Sequence, residues 1–347
     1  MKAAVRSRYG PPEVVSITAI DRPTAAPGEI VIRVYATTVN RTDCALRQGR
    51  PWLWRLVTGP VRPRLRVLGC EYAGEVESIA DDVTRWRPGD QVFGFQGSDF
   101  GAHAEYLTVK ENGPIALMPT NLSYEQAVPG SEGSHYALTM IRGARIEAGH
   151  PVLVYGATGA IGSAAVQLLH GLGAQVTAVC DEENLSLLRD LGADEVIGRA
   201  DFDRASPAPG RPAIRVPGLD THLDGRYYAV LDTVGKSSFG RCRRLLRENG
   251  VYISADLGRG SQNVALALVT PWLKGPLRRL LGGREVRFPI PHADADTAAH
   301  LRNLMQDGTF RPLVDRSYAL DEIVEAHRYV DSGRKLGNVV MVVRPQD

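Results

Sequence analysis

The stretch "VLVYGATGAIGSAAVQLL", residues 152–169, runs from an apolar strand through a glycine turn into a helix of small residues. In such a turn Gly159 lets the backbone approach a pyrophosphate, and Gly162 lets helix and strand pack closely. The helix N-terminus supplies N–H groups for the anion. The first glycine of the usual G-x-G-x-x-G is Ala157 here, with Gly156 before it. Glycine patterns alone match many purely structural turns, but strand before and helix after is the context that dinucleotide binding requires. The next strand, "QVTAVC", ends at Asp181, where an acid accepts hydrogen bonds from an adenosine ribose. Asp181, Glu182 and Glu183 together repel a 2′-phosphate, so NADH is favoured over NADPH. The same acids also suit the start of a solvated helix.

Outward from this turn, strands and helices alternate. A helix over "SYEQAV" precedes it, and after "QVTAVC" come helix "ENLSLLRDLG", strand "EVIG", strand "YYAVLDTVG", helix "SSFGRCRRLLREN" and strand "VYISADLG". Such alternation predicts a doubly wound parallel sheet in an α/β fold. Residues 205–219 carry four prolines and break the order, as an exposed excursion would. Residues 1–122 instead hold short β-branched runs cut by glycine and proline, which predicts a barrel-like β domain. A strand near "EVRFPI", a helix "ADTAAHLRNLMQDG" and the strand "GNVVMVV" follow, and the last is expected to return to the first domain. The expected division is 1–122 completed by 309–347, around a dinucleotide-binding domain at 123–308.

With 347 residues, 44% hydrophobic and 23% charged, the composition is that of an ordinary globular protein. Lys and Arg number 41 against 39 acids, which argues against a nucleic-acid partner. The local exception, "RPWLWRLVTGPVRPRLR" at residues 50–66, reads as a covering loop with arginine stems laid on apolar surface, in preference to a lipid or RNA patch. No apolar run reaches a membrane span, and the N-terminal residues lack a signal-peptide core, so a cytoplasmic location and no membrane partner are expected. Cys44, Cys70, Cys180 and Cys242 form no C-x-x-C pair and read as reduced, buried thiols.

Taken with "YGPPEVV", "TTVNRTD", "GEVESI", "RPGDQVFG", "GAHAEY", "LRDLGADEVI", "DTVGKSSFGRC" and "EAHRYVDSGRKLGNVV", the chain resembles the medium-chain dehydrogenase/reductase superfamily, in its zinc-free quinone oxidoreductase-like branch. The resemblance covers nearly the whole length. It implies a GroES-like β-barrel catalytic domain built from both chain ends around a Rossmann domain, NAD(P)H held in the cleft between them, and a homodimer. The cofactor positions it implies are Gly156, Ala157, Thr158, Gly159, Ala160, Ile161 and Gly162 of the turn, Cys180, Asp181 and Asn184 after the second strand, Asp232, Thr233 and Val234, then Leu257 and Asn338.

Zinc-dependent relatives hold catalytic zinc through a Cys in "C-x-T/S-D", a His in "G-H-E" and a third ligand before the Rossmann strand. This chain has Asn40 in "VNRTD", Cys70 in "GCE", and Gly130 or Ser131 nearest the third position. A catalytic zinc needs three protein ligands and an open site. The four closely spaced cysteines of the family's structural zinc lobe are missing from 92–106. No metal is therefore expected, and donors must meet the negative charge developing on the substrate oxygen. Asn40 as amide donor and Thr42 as hydroxyl donor match positions that face nicotinamide and substrate in the family, although Asn also suits a turn closing the strand. Tyr136, in "SEGSHYAL", is a third candidate as proton donor or ring stack with His135 tuning it. Both residues also fit plain helix packing. Trp52, Trp54 and Trp272 are candidates to line a pocket for an aromatic substrate, with core packing as the alternative.

Two functions follow. One is hydride transfer to an enone, quinone or carbonyl compound, with biosynthetic tailoring as a variant. The other is a catalytically silent nucleotide-binding protein that serves a structural or partner-binding role, since fold alone does not prove turnover.

Overall fold

The computed structural model describes residues 1–50, 52, 54–97, 99–206, 223–255, 262–272, 282–288 and 294–345, without the side chains of 54, 57 and 262. Residues 207–219 of the proline-rich excursion and Leu257 lie outside the described residues. The chain divides into two compact units, one of Met1–Glu132 with Ala293–Asp347, the other of Gly133–His292.

The first unit holds β1 (Lys2–Arg6), β2 (Val15–Ala19), β3 (Glu29–Val39), β4 (Glu71–Ile79), β5 (Gln91–Phe95), β6 (Tyr106–Lys110) and β7 (Ile115–Leu117). In the second lie β8 (Pro151–Tyr155), β9 (Gln175–Cys180), β10 (Glu195–Gly198), β11 (Tyr227–Asp232), β12 (Leu246–Ser254) and β13 (Glu285–Arg287). The last two strands, β14 (Val314–Ala319) and β15 (Asn338–Val342), return to the first unit.

Seven strands of the first unit form a sheet, with β14-β15-β3-β4-β5-β7 in order and β6 paired to β3. The C-terminal strand β15 runs antiparallel to β3, with Val339 opposite Val39 and Val342 opposite Ala36. The return predicted for "GNVVMVV" is therefore made by direct strand pairing. Buried Ile30, Ile32, Val34, Tyr72, Val92 and Ile115 fill one core of this unit. Helices Arg41–Gln48 and Ile323–Asp331 are joined by the buried Arg47 guanidinium, whose Nη2 donates to Asp331 at 2.5 Å.

The unit boundaries fall ten residues later and sixteen earlier than the sequence reading places them. Segment 123–132 packs on β3 and β4, and helix Ala295–Gln306 packs beside β7, where the Thr120 amide donates to the Gln306 side chain at 2.8 Å. The arginine-rich segment covers the start of the chain: Arg55 stands 4.7 Å over the Tyr9 ring, and the Tyr9 hydroxyl lies 2.7 Å from that of Thr58.

The second unit is a six-stranded, wholly parallel sheet in the order β10-β9-β8-β11-β12-β13. Its strands are buried on both faces, which is why "VLVY", "VTAVC" and "YAVL" read as unbroken apolar runs. One expectation fails here. The helix predicted over 237–249 stops at Cys242, and β12 begins at Leu246. Leu246 pairs with Tyr227 in the sheet and Asn249 takes a φ of 58°, so strand pairing overrides a good helical pattern.

Candidate functional site

In the second unit the glycine turn connects β8 to helix Ala160–Gly171. Gly156 has φ +80°, and Gly159 sits in extended conformation at the helix N-cap. A Cβ on Gly162 would lie 2.3 Å from the Gly156 carbonyl oxygen and 2.7 Å from the Ala157 Cα, so its role is close packing of helix on turn. At Gly159 the nearest atom to such a Cβ is 3.6 Å away, so this glycine is not required for packing and leaves backbone open to an approaching ligand. A cradle at a helix N-terminus whose open face would be narrowed by a single methyl group fits a dinucleotide pyrophosphate.

Some residues around this turn are engaged internally. Buried Asp232 accepts from the Ser237 amide at 3.0 Å and from the Tyr252 hydroxyl at 2.8 Å. The Thr233 hydroxyl lies 2.9 Å from the Tyr155 carbonyl and 3.0 Å from that of Gly156, so it braces the turn. Val234 packs where a Cβ on Gly156 would fall. Beyond β9, burial raises the Cys180 thiol to about 11 and keeps it neutral. Buried Asn184 donates its amide to the Asp181 carbonyl at 3.0 Å. The three acids are not all turned outward. Asp181 pairs with Arg199 at 2.8 Å, and Glu182 accepts from the Ala200 amide at 3.1 Å. Arg199 escaped the sequence reading because it lies eighteen residues beyond Asp181, after β10.

The first unit holds a buried polar corner. Asn40 follows β3 and caps helix Arg41–Gln48, where its backbone N–H donates to Asp43 Oδ2 at 2.8 Å. The Asn40 side chain turns the other way, and Nδ2 donates to Glu71 Oε2 at 3.0 Å and to Glu132 Oε2 at 3.1 Å. Glu71 also takes the Thr38 hydroxyl at 2.5 Å, the Ser131 amide at 3.2 Å and the Glu132 amide at 2.6 Å, with the Ser131 hydroxyl 3.0 Å from Oε1. Glu132 Oε1 lies 2.7 Å from the Thr42 hydroxyl. Asn40, Glu71, Glu132 and Cys70 are buried, whereas Thr42 is half-buried and opens the corner outward.

Electrostatics follow from this burial. Loss of water and the neighbouring Glu132 carboxyl both raise the Glu71 carboxyl above its ordinary range. Glu132 is raised by burial first and then by Asp43. Burial and the neighbouring carboxylates push the Cys70 thiol well above its usual range. Half-buried Lys335 is lowered to about 8 by burial, against the opposing pull of Glu132 and Glu71.

The amide hydrogens of Asn40, assigned from sequence to a substrate oxygen, are thus directed at two carboxylates. The buried atom left without a partner is its acceptor, Oδ1. Both hydrogens go to buried acids, which also draw on other donors. Glu132 directly follows Gly130 and Ser131, the residues nearest the third metal-ligand position in the sequence. The available signal was an acid inside the otherwise uncharged run "QAVPGSEGSHYAL". Tyr136 lies half-buried in the second unit on helix Glu132–Ala144, with its ring 6.2 Å from that of buried His135. Asn338 is buried in β15 and donates Nδ2 to the Leu313 carbonyl at 3.1 Å. Trp52 and Trp272 are 69% and 79% exposed, so they line no enclosed aromatic pocket, and the Trp54 side chain lies outside the described residues.

The donor set does not fit zinc. Asn40 offers an amide already committed to acids, Cys70 is held as a neutral thiol, and the Ser131 hydroxyl serves Glu71. Among the described residues no three or more His, Cys, Asp or Glu side chains are grouped to hold a metal. None of the described helices is long and apolar enough to cross a membrane.

Comparison with known proteins agrees with this architecture. Residues 26–120 match the alcohol dehydrogenase GroES-like domain family, and residues 191–341 match the zinc-binding dehydrogenase family. A chloroplastic quinone oxidoreductase of Triphysaria versicolor is 27% identical over 92% of this chain and 91% of its own. The chain belongs to the medium-chain dehydrogenase/reductase superfamily. Within it, this dehydrogenase/reductase falls in the quinone oxidoreductase-like branch. It is also 26% identical to a 2-methylene-furan-3-one reductase of Solanum lycopersicum, over 98% of this chain and 79% of the relative. In fold it is similar to a quinone oxidoreductase from Coxiella burnetii, with a TM-score of 0.80 at 24% identity over 99% of both chains.

Proposed function

We propose that this chain is an NAD(P)H-dependent oxidoreductase that reduces an enone, quinone or carbonyl compound without zinc, as a tailoring reductase would. The observation that carries the reading is the half-buried Thr42 hydroxyl held 2.7 Å from the buried Glu132 carboxyl, in a corner whose donors do not suit a metal. Its relatives' names, a quinone oxidoreductase and a furanone reductase, point to the same class of acceptor.

Bound at the turn, the dinucleotide supplies the hydride. Gly159 would admit its pyrophosphate, the N-terminus of helix Ala160–Gly171 would supply N–H groups with Thr158 and Ile161 beside it, and Asp181 would accept from its ribose. Thr42 donates to the substrate oxygen, while Asn40 clamps the two acids that set the hydroxyl's direction. Tyr136 is the second candidate donor. NADH is favoured over NADPH by Asp181, Glu182 and Glu183, an advantage lessened by the Arg199 guanidinium that pairs with Asp181. A cytoplasmic homodimer with four reduced thiols completes the reading.

The test is oxidation of NADH and NADPH over a panel of quinones, enones and aldehydes, with and without chelator. Turnover that survives chelation, and no stoichiometric zinc by elemental analysis, is the expected result. Tight dinucleotide binding without turnover on any acceptor would favour the silent nucleotide-binding alternative.

A further inference from the structure

Three facts about the corner bear on where its proton resides. The carboxylates of Glu71 and Glu132 are both buried and both receive the one Asn40 amide, at 3.0 and 3.1 Å. Two buried carboxylates held this closely do not both ionise near neutrality, so the pair keeps one proton. Hydrogen bonds then decide its place. Glu71 collects the Thr38 hydroxyl, the Asn40 amide and the amides of Ser131 and Glu132, a set of donors that favours the charged form. Glu132 has the Asn40 amide, the Cys70 thiol and the Thr42 hydroxyl, and the last can equally accept. With Glu132 ionised, Thr42 must give its hydrogen to Oε1. With Glu132 protonated, Oε1 donates to Thr42 Oγ1 across the same 2.7 Å, and the Thr42 hydrogen is released to point outward.

We propose that Glu132 carries the shared proton of a buried Glu71–Glu132 pair and passes it through the Thr42 hydroxyl to the substrate oxygen. This rests on the oxidoreductase reading above. For an enone, hydride from the dinucleotide adds to the β-carbon and the C=C electron pair moves to form an enolate. The enolate oxygen takes the Thr42 proton while Thr42 takes that of Glu132, leaving Glu132 a carboxylate, and a proton from water restores it. Glu132 is a positioning residue in this scheme, since it acts through Thr42. The charged or titratable groups facing it are Glu71, Asp43, Cys70 and Lys335, with Arg41 acting on Lys335. Lys335 is the nearby cation that moderates the pair, and its ammonium also donates to the Gly337 carbonyl.

The experiment combines infrared titration of the protein alone with a pH profile of 2-cyclohexenone or quinone reduction. In the parent a protonated-carboxyl band persists at pH 7 and disappears on further alkaline titration, and the rate falls over the same interval. Glu132→Gln is expected to remove that band, to lower kcat about 100-fold with dinucleotide binding unchanged, and to abolish the alkaline fall. Thr42→Val is expected to lower kcat similarly while the band stays and shifts, and the double variant is no slower than either single one. A band unaltered by Glu132→Gln, or an alkaline fall that survives it, overturns the proposal. Should Glu132→Gln not fold, a Thr42→Val variant with parental kcat overturns it equally. A parent with the band but no turnover on any acceptor overturns the oxidoreductase reading and the delivery step, and leaves only the shared proton. Turnover with no band at pH 7 overturns the inference and leaves the activity standing.

Discussion

The glycine turn and the polar corner solve the problem of presenting polar groups in opposite ways. At the turn, residues 155–162 make the site from backbone, and side chains are chiefly absent: Gly162 is small because a carbonyl stands 2.3 Å from where its Cβ would be. At the corner the side chains are everything. Asn40, Glu71 and Glu132 arrive from segments 31 and 61 residues apart and satisfy one another. A backbone site depends on local conformation and tolerates change around it, whereas a converging site depends on every member, because each loss leaves a buried partner unpaired.

The contrast can be broken most directly at Glu71. Glu71→Leu orphans the donors of Thr38, Asn40, Ser131 and Glu132, and a loss of about 3–5 kcal/mol in urea unfolding is expected. A loss below about 1 kcal/mol would mean that the corner is not held by this carboxylate. Next comes Gly162→Ala, where backbone must shift, with about 1–3 kcal/mol lost and dinucleotide affinity falling with it. Gly159→Ala separates the two roles of the turn. Its Cβ meets only ordinary contacts, so stability should stay within about 0.5 kcal/mol while dinucleotide affinity measured by fluorescence falls at least about tenfold.

A pH series sharpens the corner's side of the comparison. Glu71 rises from an ordinary 4.5 to about 8 on folding and Glu132 rises too, so the folded chain binds more protons than the unfolded one in that interval. Stability contributed by the pair is therefore lost as pH rises through it. His103, lowered to about 4 by burial, has the opposite slope below 6.5, and Lys335 acts above about 8. The interval between 6.5 and 8 belongs to the pair, and the parent should lose stability there, with a smaller loss in Glu132→Gln, where burial still raises Glu71 but the charge of Glu132 is gone. The smallest effect is expected at Asp181. Asp181→Ala should weaken NADH binding a few-fold more than NADPH binding, because it removes a ribose acceptor and releases Arg199 toward a 2′-phosphate. Equal losses for the two cofactors would show that the acid faces elsewhere.

Much of this was legible in the residues themselves. The turn, the alternation of strand and helix, and the return of "GNVVMVV" to the first sheet all depend on local periodicity and on where glycine is tolerated, which a chain carries in its own order. So did the mismatch between Asn40, Cys70 and a zinc site, a matter of residue type. What the order of residues left open was direction and partnership. Asn40 read as a donor to substrate, yet its hydrogens go to Glu71 and Glu132. The acids after β9 read as a negative rim, yet Asp181 meets Arg199. "RRLLREN" read as helix until Leu246 found Tyr227 across the sheet. Each of these was decided by groups distant along the chain, because buried charge and strand edges are satisfied by whatever the fold brings beside them.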